Sequence, residues 1–476
     1  MGTELLAPLD LAFWHLETDA HPMHLGALAV FSPPPAPAPG VDAEAVLQLL
    51  GTRAAAIPRL RMRVRDVLLP VGGAAWSVDK DFDVYRHVKR VRLPQGEVDQ
   101  DQAGGGFMAG ATRLAGELME QPLERGLPPW QMYVISGADD GAFAVLVKLH
   151  HALADGMRAV AIGAGIFDEI ASVGARARGG VSTRRARPVP PRSWMPGPRQ
   201  VAGFALGRIE DLGRAFGVGA SVVRASRLDL RGAPALTATS SGTRRLATTD
   251  LDAEAVGRIR RIVGGTTNDV LLGVVAGALR RWMLERGDQL PDADPRALVP
   301  VSRRRPGVTG ATGNRLSAYL LGLPVSEPDP WNRLRAVRTA MDRNKAAGPL
   351  RGAGAVAVLA DQLPSLAHRF GAPLAGSAAR MLFDVLVTSV PLPRSALSLG
   401  GCPLQAVYPM APLARGQSLA VALSTYSGRV HIGLVADGKA VPDLERLARC
   451  AEDELRELLA LMPADQSARL SEGVRL

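Results

Sequence analysis

The feature that most constrains the fold of this chain is an apolar run that ends in two adjacent histidines. Residues 142–149 read AFAVLVKL, and His150 and His151 follow directly. The run is rich in β-branched residues and is mostly apolar on both faces, which predicts a strand in the interior of a sheet. Because side chains alternate along a strand, we expect one histidine to face a cleft and the other to pack beneath it.

The residues that follow complete the motif HHALADG, which Asp155 and Gly156 close. The glycine is expected to permit a tight turn from the strand into a helix. Asp155 is expected to orient the loop or to pair with an arginine. Since free histidine has a pKa of about 6.5, it can accept a proton near neutral pH. The motif therefore indicates an acid–base site.

Two other interpretations of the histidine pair are metal binding and a structural pair in the core. Metal binding is disfavoured because no third ligand follows at the HExxH spacing, and adjacent residues cannot readily ligate from one strand face. Metal ligands are therefore not predicted. A structural pair remains open on spacing alone.

Composition narrows the class of protein. The 476 residues are 47% hydrophobic and 21% charged, which is ordinary for globular proteins and suggests two or three domains or one large pseudo-symmetric unit. The net charge of +10 favours anionic partners. An aromatic content of 4% and the lack of a nucleic-acid-binding signature argue against nucleic acid as a partner.

The compartment is predicted from the cysteines and the apolar segments. Cys402 and Cys450 are far apart in sequence, which excludes a disulfide scaffold and fits a reducing cytoplasm. The N-terminal residues lack the pattern of a signal peptide. The best apolar run, residues 270–279, is much shorter than the roughly 18–20 residues that span a bilayer. We expect a cytoplasmic protein that does not cross the membrane.

Both halves of the chain mix strands and helices, so an α/β fold of two lobes with a cleft between them is predicted, with boundaries at 1–170 and 243–476. The intervening segment, 171–242, begins with a stretch rich in arginine, proline and glycine and is predicted to be a basic linker. Residues 201–216 within it have the spacing of an amphipathic helix. That helix either packs against a lobe or lies on an anionic membrane surface.

The strands and helices predicted elsewhere follow from hydrophobic periodicity. Strands are predicted at 25–31, 142–149, 297–301, 316–323, 383–390, 419–426 and 430–435. Helices are predicted at 41–56, 252–263, 268–286 and 443–461.

HHALADG resembles the HHxxxDG active-site motif of the coenzyme-A-dependent acyltransferase superfamily, which includes chloramphenicol acetyltransferase and peptide-synthetase condensation domains. Further motifs, in order along nearly the whole chain, resemble those of bacterial wax ester synthase/diacylglycerol acyltransferases. They are Pro8-Leu-Asp10, Pro22-Met-His24-Leu-Gly26, Pro129-Trp130, Gly265-Thr-Thr-Asn268-Asp269-Val-Leu-Leu272, Val299-Pro-Val-Ser302-Arg-Arg304, Gly313-Asn314-Arg-Leu-Ser317, Gly433-Leu-Val-Ala-Asp437 and Val441-Pro442-Asp443-Leu444.

The resemblance implies two chloramphenicol-acetyltransferase-like lobes with mixed sheets and an active-site tunnel between them. Acyl-CoA would enter as co-substrate from one side, and a long-chain alcohol or a diacylglycerol from the other. No further cofactor is implied. The products would be wax esters or triacylglycerol. The implied location is the cytoplasmic surface of a membrane or a lipid droplet, with no nucleic acid as partner.

The same resemblance implies roles for individual residues. His151 would be the general base and His150 would support it. Asp155 would be structural and would pair with an arginine, for which Arg304 is the expected residue. The residues implied to shape the site or bind substrate are Trp130, Gly156, Asn268, Asp269 and Arg304. Asn268 and Asp269 could instead cap the helix that follows them.

One late segment departs from the family pattern. The family's Ser-Asn-Val-Pro-Gly-Pro stretch reads Thr388-Ser-Val-Pro-Leu-Pro393 in this chain, with Ser389 and Leu392 as the main changes. These changes affect the expected acceptor. Two alternatives to the main interpretation stay open. One is a CoA-dependent acyltransferase acting on another hydroxyl, such as that of a polyketide or glycolipid. The other is an inactive relative that binds lipid droplets.

Overall fold

The structure is a computed structural model that describes residues 4–33, 43–94, 105–137, 142–169, 233–302, 316–347 and 382–462. The amphipathic helix predicted at 201–216 and the predicted site residue Arg304 lie outside these ranges. Most of the predicted basic linker, 171–242, also lies outside them. The structural statements below concern the described residues.

The histidine motif belongs to a seven-stranded mixed sheet. Its strands are β2 (His24–Phe31), β5 (Val88–Arg92), β6 (Trp130–Ser136), β7 (Phe143–His150), β8 (Asp168–Glu169), β13 (Leu397–Leu399) and β14 (Cys402–Met410), in the spatial order β5-β6-β7-β2-β14-β13-β8. β7 is flanked by β6 and β2, so the motif ends an interior strand, as the apolar pattern predicts.

A second, six-stranded mixed sheet contains strands from the later part of the chain. These strands are β9 (Arg244–Asp252), β10 (Arg296–Ser302), β11 (Leu316–Gly322), β12 (Val385–Pro391), β15 (Leu419–Tyr426) and β16 (Arg429–Asp437), in the order β11-β10-β12-β15-β16-β9. A small three-stranded sheet joins β1 (Glu4–Leu5), β3 (Met62–Asp66) and β4 (Ala74–Val78) in the order β1-β4-β3.

Helices flank the sheets. They are α1 (Pro8–Leu16), α2 (Ala43–Ala56), α3 (Gly105–Glu120), α4 (Gly156–Ile166), α5 (Ala253–Val263), α6 (Thr267–Glu285), α7 (Pro330–Ala347) and α8 (Leu444–Ala460). The helices α2, α5, α6 and α8 agree with the predicted ones, and α4 follows the histidine motif as expected, whereas α1, α3 and α7 were not predicted. α6 is the central helix of the second half, because most of its side chains are buried. Among the described helices, no single one is long and apolar enough to cross a bilayer, although α5 and α6 pass that criterion together with a 102° bend.

The two sheets share parts of the chain. β14 pairs antiparallel with β2, with Tyr408 opposite Leu28, although the two strands are hundreds of residues apart in sequence. A C-terminal lobe that begins at residue 243 therefore contributes two strands, β13 and β14, to the sheet of the N-terminal segment. β14 also approaches the second sheet so closely that a Cβ on Gly433 would overlap the carbonyl oxygen of Pro409.

Candidate active site

The imidazole of His151 lies just beyond the end of β7 and faces a cavity between the two sheets. Its backbone N–H donates to the carbonyl oxygen of Met23 at 2.8 Å. The ring of Phe13, on α1, stacks on the imidazole with centroids 3.9 Å apart and planes inclined by 16°. A strand end and a helix therefore fix the position of this ring.

His150 is fully buried and lies among different neighbours from those of His151. Its Nδ1 accepts a hydrogen bond from the backbone N–H of Ala152 at 3.0 Å, which places the proton of the neutral ring on Nε2. That Nε2 lies 3.4 Å from Oε1 of Glu17. The two histidines therefore differ as strand alternation predicts: one faces the cavity and the other packs against a buried carboxylate.

Glu17 is a residue of the site that the sequence reasoning missed. Its carboxylate accepts hydrogen bonds from the backbone N–H of Met23 (3.2 Å) and from the guanidinium of Arg125 (3.0 Å). Burial alone would raise the pKa of Glu17, but His150, Arg125 and Met23 outweigh burial and lower the pKa to about 2. Glu17 is thus an anion that holds His150 in place, and no local motif in the sequence marks it.

The pKa of His151 is lowered to about 4, and burial is the main cause. His150 contributes to this lowering, whereas the carboxylate of Asp155 opposes it. The ring is therefore neutral at physiological pH and able to accept a proton, which is the state that a general base requires.

Asp155 is buried and caps α4 at its N-terminus. Its Oδ1 accepts a hydrogen bond from the backbone N–H of Arg158 at 2.8 Å. Asp155 therefore has a structural role, because it caps the helix that follows the histidine motif. The predicted partner of Asp155, Arg304, lies outside the described residues.

Gly156 is the first residue of α4 and lines the cavity. The expectation that it permits a tight turn is wrong, because its φ is not in the left-handed region that favours glycine. A Cβ at this position would instead lie 3.7 Å from Cγ2 of Val390, a residue of the second sheet. Gly156 thus contributes no side chain to the cavity that His151 also lines.

The cavity has a volume of about 190 Å³ and is bounded by both sheets and by α4. The first sheet contributes residues of β2, β7 and β14, and the second contributes alternate residues of β12 and β15. The main lining residues are Leu25, Ala27, Ala29, Val147, Leu149, Ala159, Gly163, Ile166, Phe167, Leu386, Val390, Leu392, Leu404, Val407 and Ala422. The cavity thus runs alongside α4, which is roughly 15 Å long at 1.5 Å per residue.

Only three of the lining residues described have polar side chains: His151, Thr388 and Ser424. The hydroxyl of Ser424 donates to the carbonyl oxygen of Val407 at 2.6 Å, so its proton is already used. Thr388 lies on the same face of β12 as Leu386 and Val390, both of which also line the cavity. The cavity therefore offers one base and one further hydroxyl in an apolar surround.

Three residues implied by the resemblance do not line this cavity. Trp130 is buried in the core, donates from Nε1 to the carbonyl oxygen of Leu60 at 2.6 Å and stacks on His87. Asp269 forms a capping box with Thr266 at the start of α6. Asn268 lies in the first turn of the same helix. For Asn268 and Asp269, the sequence left open a role in the site or a helix cap. The hydrogen bonds of Asp269 are those of a helix cap.

Comparison with known families gives two matches that together span most of the chain. The model of the wax ester synthase/diacylglycerol acyltransferase catalytic domain matches residues 6–271, and that of the WS/DGAT C-terminal domain matches residues 312–459. The probable diacylglycerol O-acyltransferase tgs1 of Mycobacterium tuberculosis is 32% identical over 467 residues, covering 96% of each chain. The probable diacylglycerol O-acyltransferase tgs2 of the same organism is 28% identical over 96% of this chain and 98% of its own.

Solved structures show the same fold. The wax ester synthase/diacylglycerol acyltransferase from Marinobacter aquaeolei VT8 superposes with a TM-score of 0.68 at 22% identity, covering 96% of this chain and 98% of its own. The starter condensation domain of rhizomide synthetase superposes with a TM-score of 0.53 at 16% identity, covering 96% and 94%. These matches confirm the predicted α/β fold of two chloramphenicol-acetyltransferase-like lobes.

Proposed function

Because the chain belongs to the wax ester synthase/diacylglycerol acyltransferase family, we propose that it transfers the acyl group of an acyl-CoA to the hydroxyl of a long-chain alcohol or a diacylglycerol. The chain is an O-acyltransferase, and its products are wax esters or triacylglycerol. One observation carries the site assignment: His151 faces a cavity whose other lining residues are almost all apolar.

His151 acts as the general base in this mechanism. A hydroxyl is a weak nucleophile until a base removes its proton, and the neutral imidazole of His151 removes that proton as the oxygen attacks the thioester carbon. The tetrahedral intermediate then collapses, the C–S bond breaks, and the CoA thiolate takes the proton back from the imidazolium. The ester and free CoA account for every atom, and no acyl-enzyme or further cofactor is needed.

The oxyanion of the tetrahedral intermediate requires a hydrogen-bond donor, and Thr388 is the residue we assign to it. Its hydroxyl faces the same cavity as His151, and the hydroxyl of Ser424, the other one in the lining, is already donating to Val407. A single preorganised donor of this kind contributes about 10²–10³-fold to the rate. Replacing Thr388 with valine keeps the shape and removes the donor.

His150 and Glu17 act through position rather than through contact with substrate. The pair is buried at the end of β7, next to the residue that carries the base. A fixed carboxylate behind His150 holds the strand end, and so sets where the His151 ring lies.

The apolar lining supports a substrate with long alkyl chains. Each buried methylene group contributes about 0.8 kcal/mol, so a cavity of this kind favours fatty chains strongly over small polar substrates. Substrates of that class reside in membranes and lipid droplets. We therefore assign the protein to the cytoplasmic surface of such a lipid phase, with acyl-CoA and a lipid alcohol as its small-molecule partners.

A second candidate function is acylation of another hydroxyl, such as that of a polyketide or a glycolipid. One observation favours it: Thr388 and Leu392 both line the cavity and belong to the segment that departs from the family pattern. A changed lining at these positions alters which acceptor fits, without altering the base.

The test measures release of free thiol from palmitoyl-CoA, with hexadecanol or dipalmitoylglycerol as the acceptor. We expect acceptor-dependent release by the natural protein and none by His151→Ala, whose melting temperature should stay within a few degrees because the ring borders a cavity. His150→Ala should lose less activity. Full activity in a folded His151→Ala variant would contradict the mechanism. Folded natural protein that uses neither acceptor would favour the second candidate or a non-catalytic lipid-binding protein.

A further inference from the structure

Three apolar side chains project into solvent from the connection between β3 and β4. Leu68 is 93% exposed, Leu69 is 75% exposed and Val71 is 57% exposed. We call these three residues the apolar tip. Single exposed leucines are common on soluble proteins, but a contiguous exposed cluster usually marks a surface that binds a partner or a membrane.

The backbone holds the apolar tip in this position. The N–H of Val67 donates to the carbonyl oxygen of Gly73 at 3.0 Å, and the N–H of Gly73 donates to Pro70 at 2.8 Å. His15, on α1, donates from Nε2 to the carbonyl oxygen of Gly72 at 3.0 Å. These bonds tie both ends of the connection to the fold, so the leucines remain exposed instead of folding back onto the core.

The helix that anchors the apolar tip also covers the catalytic ring. His15 contacts the connection at Gly72, and Phe13, two residues earlier on α1, stacks on His151 at 3.9 Å. The apolar tip is therefore separated from the catalytic histidine by a single short helix. A surface that receives the tip would lie next to the active site.

The small sheet next to the apolar tip adds apolar area and positive charge. Leu5 is 52% exposed and is paired with Ala75, which is also the partner of Arg65 on the other side. Arg65 is exposed next to the tip, Arg61 is exposed at the far end of the hairpin, just before β3, and Asp66 offsets one of these charges. Together with the net charge of +10, this favours an anionic surface as the partner.

We propose that the apolar tip inserts into an anionic phospholipid surface and thereby holds the active site at the phase that contains its lipid substrates. The choice of a lipid surface over a protein rests on the proposed function and on the apolar cavity behind α1. Leucine and valine side chains on a hairpin, with arginines at its base, combine burial in the acyl region with attraction to anionic headgroups.

The experiment measures flotation of the full-length protein with vesicles made of equal parts phosphatidylcholine and phosphatidylglycerol. The test variant combines Leu68→Ser, Leu69→Ser and Val71→Ser. The matched control combines Leu284→Ser and Leu461→Ser, two leucines that are each 50% exposed elsewhere on the molecule. We expect the test variant to bind about tenfold more weakly or worse, and the control to bind as the natural protein does.

Two further measurements identify the kind of surface. Arg61→Gln and Arg65→Gln should each weaken binding to these vesicles about fivefold and leave binding to pure phosphatidylcholine unchanged. The emission of a Leu69→Trp variant should shift to shorter wavelength when vesicles are added, whereas that of Leu284→Trp should not. Either pattern supports insertion of the tip into lipid.

Several outcomes would overturn the proposal. The proposal is wrong if the test variant floats with vesicles as well as the natural protein does. It is also wrong if the control variant loses as much vesicle binding as the test variant. A natural protein that forms dimers, which the test variant dissociates, would assign the apolar tip to self-association. Vesicle binding needs no turnover, so it can be measured independently of acyl transfer. If the natural protein transfers no acyl group but binds vesicles, and the test variant does not bind them, the proposed function is refuted and this inference stands.

Discussion

Burial of the His151 ring determines how the site responds to pH. The pKa of this imidazole is lowered to about 4, so the ring loses its proton-accepting form only when the pH falls to that range. We expect the acid limb of kcat/KM to have its midpoint near pH 4–5, and not at the value of about 6.5 typical of exposed histidine. The measurement is the pH dependence of thiol release at low acyl-CoA concentration. A midpoint near 6.5 would show that the ring is solvated in the working enzyme.

The buried carboxylate of Glu17 links stability to pH. Its pKa is about 2 in the folded protein, compared with 4.5 for an ordinary glutamate, so its stabilising contribution is present above about pH 4.5 and is lost as the pH falls towards 2. We expect Glu17→Gln to lower the free energy of unfolding by on the order of 3 kcal/mol at pH 7. On acidification, this variant should lose less stability than the natural protein does. Chemical denaturation at pH 7 and pH 3 measures both effects.

A matched control for Glu17 is Glu445→Gln, because Glu445 forms an exposed ion pair with Arg245. Such pairs contribute little, so this variant should keep the stability of the natural protein. If the two variants behave alike, then Glu17 does not have the role assigned to it.

The sequence predicts the histidine and Asp155 positions because they form one local motif directly after a strand. Glu17 and Phe13 could not be predicted in the same way, since more than 100 residues separate them from His150 and His151. Their contribution depends on how α1 packs against the end of β7. A single sequence holds no signal for that packing, since Glu17 lies in an ordinary stretch after a helix.

At the scale of elements, α4 forms one wall of the cavity with small residues. Gly163 lines the cavity, and a Cβ there would be in ordinary contact with Phe167, at 3.7 Å from its ring. We expect Gly163→Leu to fill the space and to lower kcat/KM for palmitoyl-CoA or hexadecanol at least tenfold, while butyryl-CoA and butanol are used nearly as before. Stability should rise by up to about 1 kcal/mol, because leucine forms helix better than glycine.

Comparing acyl-CoA donors with alcohol acceptors will show which substrate's alkyl chain the cavity holds. Loss with palmitoyl-CoA alone would assign the wall of α4 to the acyl chain, and loss with hexadecanol alone would assign it to the acceptor. An equal loss for short and long chains of both substrates would contradict a role in chain binding. Gly163→Ala is the mild control, since its added methyl group meets only van der Waals contact.

The elements with strong hydrophobic periodicity could be predicted, whereas α1, α3, α7 and β14 are not among the predicted elements. The strand predicted at 419–426 agrees with β15, and the strand at 142–149 differs from β7 by one residue at each end. The role of Gly156 was predicted wrongly for a physical reason. A glycine at the start of a helix is compatible with a turn, with a cap or with open space beside a ligand, and only the neighbouring Val390 distinguishes these cases.

At the scale of the whole molecule, the close approach of the two sheets depends on the absence of a side chain at Gly433. A methyl group there would overlap the backbone of Pro409, which cannot rotate away as a side chain could. We expect Gly433→Ala to destabilise the protein by about 3 kcal/mol and to lower activity, because the cavity lies between these sheets. Thermal unfolding and thiol release measure the two effects.

Gly257→Ala is the matched control for that substitution. Gly257 lies in α5, where the nearest atom to an added Cβ is the guanidinium of Arg261 at 3.9 Å. This control should raise stability slightly, since alanine is the better helix former. If Gly433→Ala unfolds at the same temperature as the natural protein, the two sheets can separate without cost.

The sequence predicted two α/β lobes, but not that they share strands. The hydrophobic periodicity predicts no strand at residues 402–410, and it contains no information on which sheet that segment joins. That choice is made by pairing between Tyr408 and Leu28 and their neighbours, across nearly the full length of the chain. Hydrophobic periodicity is read over short stretches of sequence, so it cannot identify strands that pair across hundreds of residues.

The pairing of β14 with β2 has a consequence for biosynthesis. While the chain emerges from the ribosome, β2 and β7 can form a hairpin-like core, but the edge of β2 that β14 will cover stays open until residues 402–410 have been made. An open edge beside apolar side chains invites pairing with other chains. Nascent molecules of this enzyme should therefore need protection by a chaperone until translation is almost finished, and fragments that stop before β14 should aggregate when expressed alone.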